Sequence, residues 1–168
     1  MSEFRESRDR ELLEQAISLA WQCPPSDTAF SVGAMVVADD GSVLGSGWSR
    51  KSDSHEHAEE AALADVAEAD RDRLATATIY TSLEPCSTRA SRPVTCTQHI
   101  LQAGIPRIVY AWREPDLFVD CIGAETLRAA GREVHELADL ADAAREPNSH
   151  LVPASVESAP DSDGSHDE

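Results

Sequence analysis

Residues 55 to 63 read HEHAEEAAL, and the way this stretch folds sets the layout of everything around it. Acidic residues near a helix N-terminus meet the positive end of its dipole, and the alanines running into Leu63 continue the turn, so the stretch opens a helix from about His57 to Glu68. Before it stand two β-rich runs, FSVGAMVVAD (30–39) and SVLGSGWS (42–49), joined by Asp40-Gly41, a hairpin signal. After it, ATIYTSL (77–83) is a run of β-branched and aromatic residues that fits a buried strand.

The pattern extends in both directions. Leu12, Leu13, Ala16, Ile17 and Ala20 lie on one face of a helix over Glu6 to Trp21. Pro93 to Ala103 has helical spacing and stops at Gly104; RIVYAW (107–112) is a strand; Gly123 to Ala130 is a helix closed by Gly131. REVHEL (132–137) is a short strand and Ala138 to Arg145 a last helix. The order αββαβαβαβα predicts an α/β protein, a mixed sheet of five strands between helices.

At 168 residues the chain is the size of one domain, expected over residues 1–151. The acidic segment 152–168 lacks apolar periodicity, and disorder is expected there. Thirty-one acids against fourteen Lys and Arg give a net charge of −17. Removing the five acids of Glu157 to Glu168 still leaves −12, which argues against broad attraction to nucleic acid or anionic membranes. No apolar run spans a membrane and the charged N-terminus does not read as a signal peptide, so a cytoplasmic location is expected. Four cysteines without a secretory signal read as thiols or metal ligands, not disulfides.

Three of these side chains fall where α/β sheets place their sites. His57 starts one helix, Cys86 follows the strand 77–83, and Cys96 lies in the first turn of the next helix. One imidazole and two thiolates suit zinc, and three protein ligands leave a fourth position for water, the arrangement of a catalytic ion. Glu59, in the same first helical turn as His57, is the candidate proton carrier. Glu56 and Glu60 could substitute as the base but read first as solvated charges; His55 could contact substrate but reads first as exposed; Arg89 and Arg92 read equally as grips for a substrate phosphate and as plain surface residues. Cys23 and Cys121 read as small core residues, and Trp21, Trp48 and Trp112 as packing residues.

His57-Ala58-Glu59 followed by Pro85-Cys86 and a later cysteine resembles the signature of the zinc deaminases. The chain resembles the cytidine and deoxycytidylate deaminase superfamily, and most closely the deaminase part of the bifunctional riboflavin-biosynthesis deaminase/reductases. VGAMVV, HAEEAAL, TSLEPCS, RPVTC and QAGIPRIVYAW carry the likeness, over roughly Ala16 to Leu151. It implies a three-layer α/β/α sandwich, zinc on His57, Cys86 and Cys96, and hydrolytic deamination in which Glu59 takes a proton from zinc-activated water and passes it to the ring nitrogen and the leaving amine. It also implies a small aminopyrimidine substrate contacted at Ser31, Ala58, Arg89 and Arg92, and a homo-oligomer.

Departures from the branch are visible too. The loop between Cys86 and Cys96 is one residue longer, Thr88 and Ala90 replace a histidine and a glycine, and Ser31 stands where an asparagine would meet the pyrimidine. FSVGA is closer to the nucleoside deaminases. The first-choice substrate is a phosphorylated diaminopyrimidine of riboflavin synthesis, with the reductase half expected to be absent. The alternatives are a cytosine-type nucleoside or aminated purine, a tRNA adenosine deaminase, which the acidic charge disfavours, and a zinc-stabilised binding protein, which Glu59 disfavours.

Overall fold

A computed structural model describes residues 3–89, 92–113 and 122–152. Five strands form one sheet in the order β2-β1-β3-β4-β5: β1 (Gly33–Val37), β2 (Val43–Trp48), β3 (Thr78–Leu83), β4 (Arg107–Trp112) and β5 (Glu133–Glu136). β1 runs antiparallel to both β2 and β3, while β3, β4 and β5 are mutually parallel. The sheet is therefore mixed, as the element order implied.

The hairpin between β1 and β2 closes at the expected place. Gly41 has φ +91°, a conformation open to glycine, and the Ser42 N–H donates to the Asp40 carboxylate at 2.9 Å. Helices cover both faces. α1 (Glu3–Leu19) and α5 (Ala141–Arg145) pack on one side, and α2 (Ala58–Asp65), α3 (Cys96–Ala103) and α4 (Gly123–Ala129) on the other. All six residues of β4 are buried, as a parallel strand covered on both faces must be.

Glycines set how closely the layers approach. A Cβ on Gly33 would sit 1.9 Å from the Ala16 carbonyl oxygen of α1, and one on Gly47 would sit 2.5 Å from the Ala61 side chain of α2. Only a bare backbone lets α2 seat this close to β2, and that seating fixes the end of α2 that carries His57.

Several element boundaries differ from the sequence reading: α1 spans Glu3–Leu19 instead of Glu6 to Trp21, the last helix is a 3-10 turn (Ala138–Leu140) followed by α5, and two further shifts have a visible cause. The second helix stops at Asp65 because Val66 turns extended (φ −68°, ψ 123°) and buries its side chain; a 3-10 stretch, Glu68–Thr76, then leads to β3. The third helix begins at Cys96 instead of Pro93. Thr95 caps it, its hydroxyl accepting from the Gln98 N–H at 3.3 Å while the Gln98 side chain accepts from the Thr95 N–H at 2.9 Å. Segment 153–168 and Cys121 lie outside the described residues. Among the described residues, no helix is long and apolar enough to cross a membrane.

Candidate metal and catalytic site

The site forms where three elements end on one side of the sheet. His57 is the N-cap of α2, Cys86 follows β3 by three residues, and Cys96 is the first residue of α3. Their ligand atoms all lie within 4.8 Å of one another. His57 Nδ1 is 3.2 Å from Cys96 Sγ and 3.6 Å from Cys86 Sγ. Ligands sharing one tetrahedral zinc at ordinary bond lengths sit about 3.5 Å apart, so the donor set and its spacing fit that ion.

The surroundings make the three donors share protons, with Cys86 favoured as the thiolate. Cys86 Sγ accepts from the Cys96 N–H at 3.2 Å, at the positive end of α3. The Cys96 side-chain hydrogen bond pushes the Cys86 thiol down to about 4, and the neighbouring His57 works in the same direction. That same hydrogen bond and burial push the Cys96 thiol up. Burial opposes the charged form of His57, yet the bond and charge of Cys86 outweigh it and raise the imidazole. The trio thus shares protons that a divalent cation would displace.

Glu59 is 4% exposed and faces the same point. Its Oε2 accepts from Cys96 Sγ at 3.3 Å, and its Oε1 accepts from the Thr81 hydroxyl at 2.8 Å. Burial pushes its carboxyl up, the direction expected of a group that must hold and release a proton near neutrality.

A cavity of about 400 Å³ opens onto His57, Glu59 and Cys86. Phe30, Val32 and Leu83 supply apolar wall; Asp27, His55 and Arg50 are among its polar lining. Phe30 is held edge-on against Trp112, ring centres 5.2 Å apart, which makes it a firm surface for a flat ring.

The other sequence-derived candidates separate here. Ala58 and Arg89 line the cavity. Ser31 does not: it is buried behind the wall, its N–H donating to the Asn148 side chain at 2.6 Å and its hydroxyl accepting from Arg50 at 2.9 Å. Arg92 also lies off the cavity lining, paired with Asp53 and, at 3.4 Å, with Glu60. Glu60, expected to be solvated, instead has a side chain 11% exposed, enclosed by Arg89, Arg92 and His99. Trp21 is 61% exposed and does not pack, and Cys23 is half-buried, its thiol 3.5 Å from the Val32 carbonyl oxygen.

Sequence reasoning missed Arg50 and Glu84. Arg50 braces the cavity wall through the Pro24 and Phe30 carbonyl oxygens. Glu84, 1% exposed beside the cavity, accepts from the Ala124 N–H at 3.0 Å and so anchors the Glu84-Pro85-Cys86 segment to α4. A glutamate directly before Pro-Cys was a readable signal for Glu84; nothing local in the sequence marks Arg50.

Comparison with known proteins agrees with this geometry. Residues 6–112 match the model of the cytidine and deoxycytidylate deaminase zinc-binding region. The chain is 38% identical over 127 residues to a diaminohydroxyphosphoribosylamino-pyrimidine deaminase of Schizosaccharomyces pombe, covering 75% of this chain and 31% of that protein. It is 37% identical over 130 residues to the riboflavin biosynthesis protein RibD of Aquifex aeolicus, covering 75% and 34%. It thus spans about a third of the length of the curated relatives it matches. Among solved structures, RibD of Acinetobacter baumannii superposes with a TM-score of 0.74 at 29% identity, over 86% of this chain and 39% of that one. With the fold, the clustered His57, Cys86 and Cys96 and the sequence match all pointing the same way, this chain belongs to the cytidine and deoxycytidylate deaminase family.

Proposed function

We propose that this chain is a zinc-dependent hydrolytic deaminase of an aminopyrimidine, with the diaminopyrimidine ribosyl phosphate of riboflavin synthesis as its first-choice substrate. The observation that carries the proposal is the convergence of His57, Cys86 and Cys96 with the buried carboxylate of Glu59 against Cys96. Zinc bound by the three ligands would supply a water acidified toward neutrality. Glu59 then moves two protons, taking one from the attacking water to the ring nitrogen and a second from the hydroxyl so formed on the ring carbon to the departing amine. One C–O bond forms, the exocyclic C–N bond breaks, and ammonia leaves. Phe30, Val32 and Leu83 hold the ring and keep bulk water off the reacting carbon.

The names of the relatives support the riboflavin-pathway substrate. A second reading, a cytosine-type nucleoside or aminated purine, is favoured by one observation: both arginines of the inter-cysteine loop are ion-paired with Glu60. Assembly as a homo-oligomer belongs to the same proposal and rests on family resemblance.

Metal analysis combined with an ammonia-release screen tests the proposal. Zinc bound at one per chain, and ammonia from the phosphorylated diaminopyrimidine in preference to free bases and nucleosides, is the expected outcome. Release from nucleosides or purines alone would move the assignment to the second reading, and bound zinc with no ammonia from any of them would overturn the enzyme assignment.

A further inference from the structure

Glu60 is not among the residues that line the cavity, yet its side chain touches every segment that delivers a metal ligand. Its Oε1 accepts from the backbone N–H of His57 at 3.2 Å. Arg89, three residues after Cys86, pairs with the same carboxylate from a side chain only 2% exposed. Arg92 approaches it at 3.4 Å, and His99, in the first turn of α3 after Cys96, at 3.6 Å.

The two arginines extend the network. Arg89 also donates to the carbonyl oxygen of His55, and at 3.4 Å to that of Val94. Arg92 grips both oxygens of Asp53. A nine-residue loop between two ligands has many conformations, and its closing entropy opposes assembly of the site. One carboxylate that pins both ends of that loop to the first turn of α2 removes much of this freedom.

We propose that Glu60 is a positioning residue: it locks the inter-cysteine loop to the histidine-bearing end of α2, so that His57, Cys86 and Cys96 stand in register before an ion arrives. The inference rests on the metal-site reading above, but not on any choice of substrate. It gives Arg89 and Arg92 a structural task in place of phosphate binding. It also explains why two adjacent glutamates of one helical turn have opposite surroundings, Glu59 facing the ligands and Glu60 facing the cations.

Zinc dissociation into an excess of a chromogenic chelator, followed in wild type, Glu60→Gln and Arg92→Ala, tests this, with the Tm of each zinc-free protein measured alongside. Glu60→Gln keeps the size and an acceptor for the His57 N–H but loses the charge that holds the arginines. The expected result is zinc release about tenfold faster in Glu60→Gln and smaller acceleration in Arg92→Ala, with zinc-free Tm values close to wild type. Equal release rates in all three, or acceleration matched by a general fall in zinc-free Tm, would overturn it. Wild type that takes up no zinc would instead defeat the metal-site reading.

Discussion

Arg50 is the residue whose importance rests most on tertiary structure. It alone among the described non-glycine residues has a positive φ, +61°, a conformation that costs about 1 kcal/mol or more for a side chain with a Cβ. Its guanidinium donates to the Pro24 carbonyl oxygen at 2.8 Å, the Phe30 carbonyl oxygen at 3.0 Å and the Ser31 hydroxyl at 2.9 Å, so most of its N–H groups are spent on the wall that carries Phe30. Lysine cannot reproduce that fork. Arg50→Lys is expected to lower kcat/KM about tenfold, mainly through KM, with zinc content unchanged; steady-state kinetics with metal analysis checks it. The four residues of the proposed chemistry were legible because histidine and cysteine are rare in this chain, Glu59 stands two residues from His57, and the ligands fall at two helix starts and one strand end. Arg50 was not, since its partners lie 19 to 26 positions away, and Ser31 was expected at the cavity because resemblance to a substrate segment does not show that its hydroxyl, two residues before β1, is taken up by Arg50.

α1 is held to the sheet by more than its apolar face. Asp9, 7% exposed, accepts from Tyr80 of β3 at 2.6 Å and from Arg107 of β4 through both oxygens. Burial pushes the Asp9 carboxyl up, but the hydrogen bonds from Arg107 and Tyr80 and the Arg107 charge outweigh it and hold it below the ordinary value. A depressed folded-state pKa contributes stability above the unfolded value, about 3.9, and loses it as pH falls through the folded value. Asp9→Asn is therefore expected to cost about 3 kcal/mol at pH 7, with Arg107 left short of a partner, and the gap from wild type should narrow as pH falls below about 4. Denaturant midpoints of both proteins across pH measure this; a gap that stayed constant would contradict it. Sequence periodicity found α1 from its leucines and alanines, but not this tie, because an aspartate in a charged first helix reads as a surface residue. The strands were found more completely than the 3-10 stretch Glu68–Thr76, whose i, i+3 pattern is too short-ranged to stand out from loop composition.

The whole chain carries −17, and its charge bears on which substrate reaches the cavity. Long-range repulsion slows the approach of an anion, and salt screens it. For a phosphorylated pyrimidine kcat/KM should rise severalfold between about 0.01 and 0.15 M ionic strength, while an uncharged base should show a flat dependence. The layered architecture itself was readable from the alternation of strands and helices, since each element's periodicity is a local property. Which loop residues brace the site was not readable, since that depends on how distant segments meet. The proposed chemistry turns on Glu59 moving protons at a site assembled by His57, Cys86 and Cys96. Ammonia release by zinc-loaded Glu59→Gln tests it most directly: retained zinc with turnover lowered by two to four orders of magnitude is the expected result, and turnover near that of wild type would contradict it.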